Sequence, residues 1–168
     1  MVDIADVLKR IVAQRRSRIE EIQTLGSGEV DEAGFQGEPG ATRSDFLQAL
    51  RSARGRAVIA EVKLGSPRLG SLAATVDPEA QARIYSETGA ACLSVVVEPD
   101  FFFGSYEMLA RCREVSGLPT LAKDFVVHPV QIEWAQRAGA DAVLLIAALL
   151  SADELRQLAD TARRLGMV

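Results

Sequence analysis

The sequence predicts an α/β fold with parallel strands, and three observations carry that prediction. Apolar runs of strand length recur at 58–63, 91–97, 119–123 and 142–147, each followed by a segment with helical spacing. Glycines at 89, 117, 139 and 166 follow the helical segments, where a left-handed residue ends a helix at least steric cost. Three of the four runs finish on ionisable groups, Glu61 with Lys63, Glu98, and Lys123, side chains that the middle of a buried sheet excludes. Four strand-helix units in succession imply parallel strands with right-handed crossovers. Periodicity alone leaves both a doubly wound sheet and a barrel open.

Taken in order, residues 3–23 place Ile4, Val7, Leu8, Ile11, Val12, Ile19 and Ile22 at helical spacing, with Asp3 as a candidate cap. The basic stretch Arg15-Arg16-Ser17-Arg18 is expected on the exposed side of this helix. Glycines at 26, 28, 34, 37 and 40 make the next segment read as a flexible loop. Ser44 or Asp45 then caps a short helix through Leu50. Strand 58–63 is followed by a loop to Val76 and a helix opened by Asp77-Pro78, where aspartate caps and proline suits the first turn. Strand 91–97 leads through a loop ending at Gly104 to a helix over 105–115, strand 119–123 to a helix over 129–137, and strand 142–147 to a helix over 151–165.

The chain has 168 residues, 48% of them hydrophobic, which is ordinary single-domain size with material for a real core. A net charge of −4 without a basic block gives no electrostatic footprint for nucleic acid or an anionic membrane surface. The acidic start lacks the pattern of a secretory signal, and no apolar run reaches the length of a membrane span, so a cytoplasmic protein is expected. Cys92 and Cys112 belong to no ligand spacing and read as reduced core residues. His128, the only histidine, reads as a cap or surface group at a helix start, since nothing supplies a second metal ligand at suitable spacing.

In a parallel α/β fold the carboxyl ends of the strands lie together, so Glu61, Lys63, Glu98 and Lys123 can converge although they are far apart in sequence. A lysine beside a glutamate in a partly desolvated site serves as general acid, base or amine nucleophile. The bland alternative is a structural ion pair at the rim of the sheet. Gly65-Ser66-Pro67 adds a hydroxyl at a rigid turn, and Phe101-Phe102-Phe103 supplies rings for the core or for stacking on an aromatic substrate.

Several motifs in order and spacing resemble the indole-3-glycerol phosphate synthase family. They are Ile59-Ala60-Glu61-Val62-Lys63, Ser66-Pro67, Asp77-Pro78, Leu93-Ser94-Val95, Glu98 with Phe102, Gly104 and Ser105, Leu118-Pro119 with Lys123-Asp124-Phe125, and 139–146. The likeness covers about residues 57–168, and the first helix is similar to that family's amino-terminal extension. The resemblance implies a (β/α)₈ TIM barrel that closes and decarboxylates 1-(2-carboxyphenylamino)-1-deoxyribulose 5-phosphate in tryptophan biosynthesis, without metal or organic cofactor. It implies Lys123 as the general acid, Lys63 as the lysine that orients the substrate, and Glu61 as the group that holds them. It further implies Ser66, Phe102, Phe125, Glu98 and Leu144 at the substrate.

The segment departs from the family's usual pattern at Leu64 and Leu69, where basic residues are common, and at Val97 and Ala122. The sequence stops at Gly166-Met167-Val168, where a fifth strand is expected, whereas a complete barrel takes typically ~250 residues. The expectation is therefore a partial barrel of about four parallel βα units. Residues 1–52 form a helical extension with a flexible loop, and 53–168 form the first half of the barrel domain. Such a half leaves strand edges unpaired, so a complementary half-barrel chain, a second copy in a homo-oligomer, or the rest of a longer product is expected to cover them. The partner implied for the site itself is a small phosphosugar-anthranilate molecule. Two other readings stand beside the lyase: a non-catalytic half-barrel binding or assembly protein, and a phosphosugar enzyme using a lysine Schiff base.

Overall fold

The computed structural model describes residues 4–24, 46–53, 55–72 and 74–168. The glycine-rich loop and the candidate caps Asp3, Ser44 and Asp45 lie outside the described residues. Helix α1 (Ile4–Thr24) and the short α2 (Phe46–Ser52) precede strand β1 (Ile59–Val62). A two-stranded antiparallel ribbon follows, β2 (Gly65–Ser66) with β3 (Gly70–Ser71). Then come α3 (Pro78–Glu87), β4 (Cys92–Val96), α4 (Pro99–Phe102), α5 (Tyr106–Ser116), β5 (Thr120–Lys123), α6 (Pro129–Arg137), β6 (Ala142–Val143), a 3-10 turn at Ala147–Leu149 and α7 (Ala152–Arg164).

Among the described residues the main sheet has the order β1-β4-β5-β6, and every neighbouring pair is parallel. Strand neighbours thus follow chain order, whereas a doubly wound sheet reverses direction at a switch point. This settles the alternative that periodicity left open in favour of single, barrel-type winding. The winding continues past β6: Val168 N donates to Asp141 O at 3.1 Å, and Val143 N donates to Val168 O at 2.9 Å, the slanted pattern of a parallel pair.

One face of the sheet is covered by helices. Val62, Leu93, Val95, Val97 and Ala122 pack with Ala82 of α3, Leu109 and Cys112 of α5, Ile132 and Trp134 of α6, and Leu158 and Ala162 of α7. The opposite face carries Glu61, Ser94, Leu121 and Ala142 in register. At the amino-terminal end of that face α2 inserts Phe46 against Cys92 and Ala142, forming a small second cluster. The other end of the face carries the charged side chains of Glu61 and Lys123 beside apolar Val96.

Local chemistry explains the helix starts. The Asp77 carboxylate accepts from Glu79 N and Ala80 N, the Ser105 hydroxyl from Met108 N, and Ser151 forms a reciprocal capping box with Glu154. His128 is the cap of α6: its Nδ1 accepts from Val130 N at 3.2 Å, while Gln131 Oε1 accepts from His128 N at 3.1 Å. Among the described residues no helix is long and apolar enough to cross a membrane.

Four features differ from the sequence expectation, the first being the β2–β3 ribbon within the segment expected as a loop to Val76. The run 142–147 keeps strand pairing only at its start, because β5 leaves the sheet after Lys123 and offers Leu145 and Ile146 no ladder to continue. The loop after β4 contains the extra turn α4. The basic stretch of α1 is not uniformly exposed: Arg15 is wholly buried, since positions 11, 15 and 19 recur every fourth residue on one helical face and place it between buried Ile11 and Ile19.

Candidate active site

Glu61 and Lys123 sit on strands separated by β4, hence about 10 Å apart at the backbone. Only long side chains cross that gap, and these two meet, Glu61 Oε2 accepting from Lys123 Nζ. The other carboxylate oxygen of Glu61 lies 3.7 Å from Lys63 Nζ. One carboxylate thus separates two ammonium groups at the carboxyl end of the sheet. The side chains of Lys63 and Glu61 are 33% exposed and that of Lys123 41%, so water screens the trio and its contribution to stability is small. Its chemical capacity is different: two cationic donors, oriented by one anion, leave a net positive site open to an anionic ligand.

Two rings stand near this charge. Phe125 follows Lys123 by two residues, and Phe102 ends α4; their centroids are 5.9 Å apart with the planes inclined at 36°. Leu144 N donates to Ala122 O at 3.2 Å, which carries the β5–β6 register one step on and sets Leu144 level with Lys123. Ser66 lies in β2, where its Oγ accepts from Leu69 N at 3.2 Å and stabilises the turn of the ribbon. Leu64 packs against the main core, whereas Leu69 is 62% exposed.

The ribbon is fastened to α4 by the absence of a side chain. A Cβ on Gly65 would meet Phe103 Cδ2 at 2.4 Å and Gly70 O at 2.5 Å, so only glycine permits this approach. Phe103 itself is left-handed, with φ 60°, an uncommon conformation for an aromatic residue that ends α4 and aims its ring at the ribbon.

Glu98 stands at the start of α4. It is fully buried, and its carboxylate caps α4, accepting from Asp100 N at 3.1 Å, Phe101 N at 2.8 Å and Phe102 N at 2.9 Å. Desolvation raises its pKa above the ordinary glutamate value despite these bonds. Both carboxylate oxygens are held by backbone amides, and one of those amides belongs to Phe102. Burial also pushes the Cys92 thiol up to about 11 and the Cys112 thiol up to about 12, in keeping with packed, reduced cysteines.

Sequence reasoning missed Asp124. Its carboxylate is buried beside Lys123 and accepts from Arg15, from Tyr106 OH at 3.1 Å and from Gln131 Nε2 at 2.9 Å through one oxygen, and from Phe125 N at 2.8 Å through the other. The available signal was Arg15 itself, a charge in the middle of an apolar stripe. Ser94 was missed as well; level with Glu61 on the inner face and 4% exposed, its Oγ finds no hydrogen-bond partner among the described residues. Among those residues no group of three His, Cys, Asp or Glu side chains is placed to hold a metal ion.

A singly wound parallel sheet with helices on one face and ionisable side chains gathered at its carboxyl end is a section of a (β/α)₈ barrel. Comparison with known proteins gives the family. The model of the indole-3-glycerol phosphate synthase family matches residues 8–168, and the chain belongs to that family. It is similar to the indole-3-glycerol phosphate synthase of Microcystis aeruginosa, 48% identical over 124 residues that cover 73% of this chain and 42% of the relative. It is also similar to that of Desulfotalea psychrophila, 38% identical over 164 residues, covering 98% of this chain and 62% of the relative. The Trichodesmium erythraeum protein of the same name is 47% identical over 124 residues. The chain spans about 40 to 60% of the length of these curated relatives.

Proposed function

We propose that this chain supplies the first half of a lyase site that converts 1-(2-carboxyphenylamino)-1-deoxyribulose 5-phosphate to indole glycerol phosphate, carbon dioxide and water. The observation that carries the reading is the Lys123–Glu61–Lys63 arrangement at the carboxyl end of the sheet. In this reading Lys123 gives its proton to the ketone oxygen while the carboxylate-bearing ring carbon attacks the ketone carbon, forming the new carbon-carbon bond. Lys63 holds the substrate carboxylate until the bond to it breaks, the electron pair returning to the ring as carbon dioxide departs. The hydroxyl then leaves as water and a ring proton is lost, completing the indole. Glu61 keeps the two ammonium groups apart and aimed, and Phe102 and Phe125 flank the aromatic part of the substrate, with Leu144 and Ser66 at the edge.

The reaction is cytoplasmic in this reading, and the sheet is completed by a complementary half-barrel chain or a second copy of this one. The test is the fluorescence assay for indole glycerol phosphate with the 168-residue chain and its Lys123→Ala variant. Expected is turnover that falls by about 10²-fold or more without the lysine. A folded chain without turnover is a half-site inactive by itself and supports the binding or assembly reading, whereas measurable turnover equal to that of Lys123→Ala overturns the lysine assignment. Exposed Leu69 favours the second reading, a non-catalytic binding or assembly protein, because the site end of the ribbon presents an apolar residue where an anion would meet a cation.

A further inference from the structure

We propose that Arg15 is a positioning residue: α1 holds the aromatic pair Phe102–Phe125 and the Lys123 strand end in place by gripping the loops that carry them. The inference rests on reading these residues as the site, but its physical basis is independent of turnover. Asp124 directly follows Lys123, and at 2% exposure its carboxylate needs a countercharge, which Arg15 supplies from a position 109 residues earlier. From this anchor the loop is suspended. Asp124 accepts from Phe125 N, and Gln131, which donates to Asp124, accepts from Val127 N at 2.8 Å and His128 N at 3.1 Å and donates to Phe125 O at 3.1 Å. The polar main-chain groups that shape residues 125–128 are thus set by two side chains, and one of them is charged.

The same helix grips the facing loop. Arg18, three residues on from Arg15, donates to both oxygens of Asp100, with Nε at 3.1 Å from Oδ2. Asp100 lies in α4, two residues before Phe102. A bidentate guanidinium fixes orientation as well as distance. One helix therefore places an arginine on each of the two segments whose rings face one another, and the separation of those rings follows from the spacing of the arginines.

The proposal is tested with Arg15→Met, which keeps an unbranched stem and removes the charge. Expected are denaturant-independent amide exchange, the signature of local opening, about tenfold faster at Phe125, Val127 and His128, with exchange in β4 changing only through the global unfolding reaction, and loss of the Phe102–Phe125 ring contact in nuclear Overhauser spectra. Arg15→Lys is expected to restore both in part. An intact ring contact with unaltered exchange at the three amides overturns the proposal. So does acceleration confined to the denaturant-dependent, global exchange shared by α1, β4 and α5, which would assign Arg15 to overall stability alone. If Arg15→Met fails to fold, Arg15→Met/Asp124→Asn leaves no buried unpaired carboxylate, and a retained ring contact there overturns the proposal in the same way. An inactive chain leaves these outcomes unaffected, so failure here is distinct from failure of the lyase reading.

Discussion

Arg15 and Asp124 form an ion pair closed off from water, with side chains 0% and 1% exposed, between the first helix and the residue beside Lys123. Removing one partner leaves the other as an uncompensated buried charge, which costs far more than the pair itself contributes. Arg15→Met is therefore expected to lower stability by roughly 3–5 kcal/mol, and Arg15→Met/Asp124→Asn by less than Arg15→Met alone. Urea unfolding of the two variants and the wild type checks this; a double variant weaker than the single one would sink the account.

Glu61 behaves in the opposite way. Its bridges to Lys123 and Lys63 are a third or more exposed, so Glu61→Gln is expected to change stability by less than about 1 kcal/mol. Turnover in the proposed reaction is expected to fall at least about tenfold, because the lysines lose the anion that aims them. Thermal unfolding and the fluorescence assay on one sample separate the two effects; a large stability loss with unchanged turnover contradicts the prediction.

Glu98 gives a pH dependence of definite sign. Burial holds its carboxyl above the ordinary value of 4.5, so the folded chain binds this proton more tightly than the unfolded chain. The resulting stabilisation is fully present below the unfolded value and is lost as pH rises through the raised folded value. Glu98→Gln does not titrate. Wild-type stability relative to Glu98→Gln is expected to be greatest in acid and to decline as pH rises, measured by denaturant titration at several pH values. A rising difference would show that the cap bonds outweigh desolvation.

Gly65→Ala introduces a Cβ within 2.4 Å of the Phe103 ring and 2.5 Å of Gly70 O. One of these contacts is backbone, so relief requires the ribbon to move. A loss of about 1–3 kcal/mol is expected, with faster proteolysis between Leu64 and Leu72. An unchanged melting temperature and cleavage pattern would refute the close approach.

Much of the architecture was legible because it is written in local pattern. Apolar runs ending in Glu61, Lys63 and Lys123 announced strands with charged groups at their carboxyl ends, and Asp77-Pro78 and Ser105 announced helix starts. His128 at a helix start announced a cap. The capping role of Glu98 was not legible for a physical reason: a charged residue at a strand end reads the same whether it faces a ligand or turns back to bind the next three amides. Nothing in its neighbours distinguishes those rotamers.

The sequence by itself determined the alternation of strands and helices, their parallel sense and the set of ionisable groups at one end of the sheet. Each follows from spacing within about ten residues and from the handedness of the chain. Only the tertiary structure decided single winding, the burial of Arg15 against Asp124, and the choice of Glu61 as the carboxylate between two lysines while Glu98 caps a helix. Those outcomes depend on partners 62 and 109 residues apart, and on whether a charge placed by local pattern finds its countercharge before it finds water.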